Sequence, residues 1–148
     1  MQGTSVRDMQ VSDLPSVMVI ERSSFTSPWS EDSVLSDLYS GQSMTRVALI
    51  NESIAGYFIA RQVIDEGQLL DIAVKPEYRQ QGIAELLMQD LISGLRMKLV
   101  VKLFLEVRAN NVAAIRLYEK FGFNTISTRK NYYKNPIEDA YIMMVELK

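Results

Sequence analysis

Residues 71–84 read DIAVKPEYRQQGIA, and the rest of the predicted fold is built around them. The apolar residues at the start of the stretch predict a buried strand, and residues 82–98 carry the strongest helical pattern in the chain. A helix that begins just after a strand presents free backbone amides and the positive end of its dipole at the turn. Because Gly82 has no side chain, phosphate oxygens could approach the backbone of residues 81–84, and Arg79 would add positive charge. The stretch therefore predicts either an anion site or a plain strand-to-helix connection.

Hydrophobic periodicity on both sides of this stretch predicts about seven strands and four helices. Strands are expected at residues 4–10, 46–50, 53–63, 68–74, 100–107, 123–129 and 140–147. Helices are expected after a cap at Ser12 or Asp13, from Ser30 to residue 38, over residues 82–98, and from Asn110 or Asn111 to residue 121. In the fifth strand, alternation predicts one inward face, made of Val101, Leu103, Leu105 and Val107. The fold class is α/β (α+β), and the absence of a linker or repeat predicts a single domain over residues 1–148.

The composition excludes several classes of function. The chain has 148 residues, is 47% hydrophobic and carries a formal charge of −2, so it has no global attraction to nucleic acid or to an anionic membrane. It contains no cysteine and no histidine, which excludes thiolate nucleophiles, Ser-His-Asp triads and the common zinc sites. Its apolar runs fall short of the roughly 20 residues that span a bilayer, and no signal peptide is apparent. We expect a cytoplasmic protein that binds no metal.

Two segments resemble a known family. Arg79-x-x-Gly82-x-Ala84, placed behind a strand, resembles the pyrophosphate motif of the GNAT superfamily of acetyl-CoA-dependent N-acetyltransferases, although Gly is commoner than Ala at the last position. Residues 105–123, LEVRANNVAAIRLYEKFGF, resemble the narrower RimI-like branch, whose members acetylate the N-terminal alanine of a ribosomal protein. Further matches to that branch are residues 28–30 (PWS), 129–133 (RKNYY) and 138–140 (EDA). The resemblance implies a mixed, mostly antiparallel sheet of about seven strands, flanked by about four helices.

The same resemblance implies how acetyl-CoA, the co-substrate, would be held. Backbone groups of Ile72, Ala73 and Val74 would bind its acetyl and pantetheine part. The side chain of Asn111 would contact coenzyme A. The pyrophosphate would be held by Arg79, Gln80, Gln81, Gly82, Ile83, Ala84 and Glu85. The thioester carbonyl would be polarised by a backbone amide near Val74.

By resemblance, Glu106 is the proton acceptor and Tyr118 the proton donor. An α-amine with a pKa near 8 is neutral in roughly one molecule in ten at pH 7, so it is an easier nucleophile than lysine. Glu106 could take the proton that this amine loses, and the Tyr118 hydroxyl could protonate the departing thiolate. From the residues alone, Glu106 could equally lie in solvent beside Lys102, and Tyr118 could be an ordinary core residue on a helix stripe.

The acceptor side is predicted from aromatic residues. By resemblance, Tyr132 and Tyr133 lie in a loop that lines a peptide channel, with Trp29 as the opposite wall or as a structural plug. The basic and aromatic residues 129–134 could also stack bases, which would make the protein a nucleic-acid adaptor. Against that stand the shortness of the patch and the negative net charge, so we expect neither nucleic acid nor membrane as a partner.

The predicted function is direct transfer of an acetyl group from acetyl-CoA to a protein N-terminus, with no covalent enzyme intermediate. The two substrates would bind on opposite sides of a cleft between the fourth and fifth strands. The favoured acceptor is the N-terminal alanine of a small-subunit ribosomal protein. The alternatives are an acetyltransferase for lysine, polyamine or another small amine, and a non-catalytic acyl-CoA-binding module.

Overall fold

A computed structural model describes residues 3–147 of the protein. The strands are β1 (Thr4–Asp8), β2 (Ser43–Ile50), β3 (Ser53–Val63), β4 (Glu66–Val74), β5 (Lys102–Arg108), β6 (Asn124–Tyr133) and β7 (Glu138–Glu146). The α-helices are α1 (Leu14–Ser24), α2 (Glu31–Tyr39), α3 (Ile83–Met97) and α4 (Val112–Lys120), and short 3-10 turns lie at Val11–Asp13 and Pro76–Tyr78. None of the described helices is long and apolar enough to cross a membrane.

The seven strands form one sheet in the order β1-β2-β3-β4-β5-β7-β6. Neighbours are antiparallel except for β4 and β5, which run parallel because α3 connects them as a crossover. The single domain and the mostly antiparallel sheet confirm the predicted fold class. The number of strands and α-helices among residues 3–147 also agrees with the prediction.

Helices cover both faces of the sheet, and each face has its own core. The first helices, α1 and α2, pack on residues such as Val47, Tyr57 and Ile59. On the other face, α3 packs on Phe58 and Leu103 and is joined there by the inner side of α4. The sheet therefore separates an α1–α2 side from an α3–α4 side, and a gap between strands would connect the two.

The capping predictions hold at the helices that matter for the site. Ser30 caps α2 by accepting the Ser33 backbone amide at 3.1 Å, and Asn111 caps α4 by accepting the Ala114 amide at 3.2 Å. One face prediction is wrong. Val101 is 41% exposed and lies before β5 begins, because the chain is still leaving the α3 turn at that point.

Candidate active site

A gap opens between β4 and β5. The two strands pair over Glu66 to Leu69 and Lys102 to Leu105, and no pairing between them continues beyond those residues. The remaining half of β4 therefore has backbone groups on its β5 side that are not used in the sheet. This opening coincides with the predicted cleft between the fourth and fifth strands.

The direction of the backbone groups along β4 follows from one hydrogen bond. The Lys75 amide donates to the Ala55 carbonyl of β3 at 2.7 Å, so residues 75 and 73 face β3. Because this direction alternates from one residue to the next along a strand, the N–H and C=O groups of Ile72 and Val74 face the gap. Ala73, which the sequence also predicted to offer its backbone to a ligand, opposes Tyr57 within the sheet.

The start of α3 lies directly after this half of β4. Gly82 is the N-cap residue with φ +85°, a left-handed conformation that favours glycine, and no side chain caps the helix. The first-turn amides of Ile83, Ala84 and Glu85 therefore have no side-chain cap. Gln80 has φ +60°, which sharpens the turn before the helix.

The side chains of this turn are already engaged within the protein. The Arg79 guanidinium donates to the Val74 carbonyl at 3.1 Å and to the Ser24 hydroxyl at 3.3 Å. The Gln81 side-chain amide donates to the Glu77 carbonyl at 3.1 Å. Arg79 therefore ties β4 to the end of α1, and an anion at the start of α3 would be bound mainly by the backbone.

Glu106 lies on β5 just beyond the last pair with β4. Its side chain is 25% exposed, and its Oε1 lies 3.4 Å from the Arg129 Nη1 of β6. It points away from Leu105 and Val107, which are buried on the α3–α4 side. The carboxylate is therefore on the α1–α2 side of the gap, neither fully solvated nor fully buried.

Tyr118 lies on α4 and is only 6% exposed. Its ring packs against Phe123 at 5.8 Å between centroids. Burial raises the pKa of its hydroxyl, and an ionised Asp71 on β4 or an ionised Tyr133 on β6 would raise that pKa further. The Tyr118 ring therefore packs in the core, while its hydroxyl interacts electrostatically with Asp71 on β4 and Tyr133 on β6.

The aromatic pair predicted for the acceptor side lies on a strand, not in a loop. Tyr132 and Tyr133 are the last residues of β6, where an irregularity interrupts pairing with β7. Their rings meet edge to face at 5.2 Å between centroids, and the Arg108 guanidinium lies 4.3 Å from the Tyr133 centroid. Burial and the Glu106 charge both raise the pKa of Tyr133. The pair therefore forms a wall next to Glu106.

The family follows from comparison with known proteins. A model of the Acetyltransferase (GNAT) family matches residues 14–123. The chain belongs to the GNAT family. It is 38% identical over 146 residues to the [ribosomal protein bS18]-alanine N-acetyltransferase of Escherichia coli (strain K12), covering 97% of each chain. The enzyme of the same name from Haemophilus influenzae is 37% identical over 93% of this chain and 95% of its own.

A solved GNAT structure has the same fold over nearly the whole chain. The crystal structure of the ribosomal-protein-S18-alanine N-acetyltransferase from Escherichia coli matches with a TM-score of 0.92 and 37% identity. The match covers 98% of this chain and 94% of that one.

Two residues predicted for the site of this GNAT protein, Asn111 and Trp29, also form hydrogen bonds that stabilise the fold. Asn111 uses its side-chain oxygen for the α4 cap, so a contact with coenzyme A would come through Nδ2. The Trp29 amide donates to Glu21 at 2.8 Å, which anchors the segment between α1 and α2. Trp29 also lines a groove of about 620 Å³ together with Leu70 and Arg61. Its ring is thus both a packing residue and part of a concave surface.

The sequence analysis missed a pair of buried acids in this GNAT protein. Asp71 on β4 and Glu21 on α1 are 7% and 1% exposed, and their carboxyl groups lie close enough to interact. Burial, together with Glu21, raises the pKa of Asp71 to about 9. A signal was present, because Glu21 continues the apolar helix stripe of Leu14, Val17 and Met18, and Asp71 interrupts an apolar strand. Among residues 3–147, no group of three or more acidic side chains could hold a metal ion.

Proposed function

We propose that this GNAT protein transfers the acetyl group of acetyl-CoA to the N-terminal α-amine of a protein, with the N-terminal alanine of ribosomal protein bS18 as acceptor. The observation that carries the proposal is the opening between β4 and β5, with Glu106 just beyond the last β5 residue that pairs with β4. The acceptor follows from the names of relatives that are 37–38% identical over nearly their whole lengths. A ribosomal protein is made in the cytoplasm, so we propose that the reaction occurs there.

The residues around the gap fit acetyl-CoA. Ile72 and Val74 offer backbone groups that the sheet does not use, and the uncapped start of α3 offers amides from Gly82 onward. Free amides at the positive end of a helix dipole suit a pyrophosphate. When bound there, acetyl-CoA supplies an acetyl group activated as a thioester. The Asn111 Nδ2 group and the Glu85 backbone would extend the same binding surface.

Glu106 is the group best placed to accept the proton of the acceptor amine. It is a partly buried carboxylate on the side of the gap opposite α3, next to the Tyr132–Tyr133 wall. Its contact with Arg129 orients the carboxylate without covering it, since a quarter of the side chain remains exposed. The peptide would lie between Trp29 and the two tyrosines, on the α1–α2 side.

Tyr118 is the group best placed to donate a proton to the leaving thiolate. Its raised pKa keeps the hydroxyl protonated at neutral pH, so the proton is present when it is needed. Packing against Phe123 fixes the direction of the ring. The two proton-transfer groups therefore lie on different elements, β5 and α4, and both border the gap.

The test is acetylation of a peptide that begins with the bS18 N-terminal sequence, with the position of the acetyl group found by mass spectrometry. We expect acetylation at the α-amine, and a rate lowered by roughly 10²–10⁴-fold in Glu106→Gln. Glu66→Gln is the matched control, because Glu66 is exposed at the opposite end of the β4–β5 pair. Acetylation confined to a lysine side chain would refute the acceptor, and equal rates in both variants would refute the role of Glu106.

A further inference from the structure

The pair formed by Asp71 and Glu21 is a buried feature that the proposed chemistry leaves unused. Glu21 already accepts two hydrogen bonds, one from the Trp29 amide at 2.8 Å and one from the Tyr57 hydroxyl. Its remaining contact is the carboxyl group of Asp71. Two buried carboxylates in contact cannot both be ionised, so the pair retains a proton. Because burial and the neighbouring Glu21 raise the pKa of Asp71, that proton belongs to Asp71.

The geometry of Asp71 agrees with a neutral carboxyl group. Its Oδ2 is fully buried and meets no donor among the described residues, so it needs a proton of its own to bond to an acceptor. The same carboxyl group also interacts with the Ile72 amide. The N–H group of Ile72 faces the gap, as follows from the β3–β4 register and the Lys75–Ala55 hydrogen bond. Asp71 therefore lies between Glu21 of α1 and the backbone amide of Ile72.

The bulge in β4 brings Asp71 to this position. The register with β3 passes from Ala60 opposite Leu69 to Ile59 opposite Asp71, so Leu70 has no partner of its own. One extra residue reverses the faces that follow it, which turns Asp71 toward α1 while Leu69 remains in the α3 core. The bulge comes directly after the last β4 residue that pairs with β5. Asp71 is therefore the first residue of the open half of β4.

We propose that Asp71 binds the acceptor amine, with one carboxyl oxygen accepting an N–H hydrogen bond while the carboxyl proton is donated to Glu21. This inference rests on the proposed function, because it assumes that an amine enters the gap from the α1–α2 side. A neutral Asp71 also suits Tyr118, whose proton would be harder to release beside a negative charge. Glu21 is a positioning residue in this arrangement, since it holds both Asp71 and the Trp29 backbone.

Two variants of almost equal size, Asp71→Asn and Asp71→Leu, are expected to differ in their KM for the acceptor peptide. Asp71→Asn keeps a donor for Glu21 and an acceptor for the amine, so the KM for the acceptor peptide should stay close to that of the wild type. Asp71→Leu removes both groups and should raise that KM about tenfold, which corresponds to about 1.4 kcal/mol. In both variants the KM for acetyl-CoA should not change. Asp71→Ala makes the same test with a smaller side chain if the Leu variant does not fold.

Steady-state kinetics with acetyl-CoA and the alanine-starting peptide measure these quantities. An unchanged acceptor KM in Asp71→Leu or Asp71→Ala would overturn the proposal. So would an Asn variant as impaired as the Leu variant, because that result requires an ionised Asp71. If the wild type acetylates only another amine, the proposed acceptor fails while the same variants still test Asp71 on that amine. A wild type that acetylates no amine overturns both.

Discussion

Gly82 offers a direct test of the turn before α3, by substitution with alanine. A non-glycine residue in the left-handed region costs roughly 1–2 kcal/mol, and Gly82 has φ +85°. For a chain of this length, about 1 kcal/mol lowers the melting temperature by roughly 3 °C, so Gly82→Ala should lose about 3–6 °C. The added methyl group also stands where a phosphate would approach the backbone. We therefore expect acetyl-CoA affinity to fall about tenfold or more, a loss of at least about 1.4 kcal/mol.

Gly41→Ala is the matched control for this substitution. A Cβ at Gly41 would meet nothing within 4 Å, and the residue lies between α2 and β2, away from the gap. Its stability should change by less than about 0.5 kcal/mol, with acetyl-CoA affinity unchanged. Thermal unfolding by circular dichroism and titration calorimetry measure both effects. If the Gly82 variant matched the Gly41 variant in both, the assignment of the turn as the phosphate site would be refuted.

Three further predictions concern single side chains. Tyr118→Phe removes only the hydroxyl, so kcat should fall roughly 10²–10⁴-fold while calorimetry finds acetyl-CoA affinity unchanged; a kcat equal to that of the wild type would exclude the proton donor role. The folded protein keeps the Asp71 proton up to about pH 9, whereas an unfolded chain loses it near pH 3.9, so stability falls as pH rises between these values. Asp71→Asn lacks this dependence, so its melting temperature should rise relative to that of the wild type between pH 5 and pH 8. A difference in melting temperature that stays constant over this range would contradict a neutral Asp71. Arg7 binds Asp13 at 2.7 and 2.9 Å and lowers the pKa of that carboxyl, so the pair stabilises the fold above about pH 4 and less as pH falls further. Urea unfolding should accordingly show a stability deficit of Arg7→Met at pH 7 that shrinks toward pH 3, and a deficit independent of pH would count against the ion pair.

The sequence was sufficient for those parts of the fold that depend on local patterns. The helix α3 was predicted within a residue at each end, because its apolar spacing is regular and Gly82 marks its start. Strands at residues 46–50 and 53–63 were also predicted, and the two residues between them, Asn51 and Glu52, have positive φ in the structure. These elements depend on short-range periodicity and turn chemistry, which a single sequence contains.

The details of the site depend on tertiary geometry that periodicity does not contain. The β4 bulge at Leu70 reverses the faces that follow it, and nothing in an apolar run indicates where such a bulge occurs. For the same reason the contact between Asp71 and Glu21 was missed, since these residues are far apart in the chain. The side chain of Arg79 bonds to Val74 and Ser24, and the sequence does not indicate this contact because it exists only once α1 has packed.

The proposed function requires that main-chain amides of β4 and α3 bind acetyl-CoA. Amide hydrogen exchange with and without acetyl-CoA measures the protection of these amides directly. We expect slower exchange at the gap-facing amides of Ile72 and Val74 and in the first turn of α3 after Gly82. The β1–β2 pair, at the far edge of the sheet, should show no change. Binding that protects other segments, and leaves residues 72–85 exchanging as fast as before, would contradict the claim.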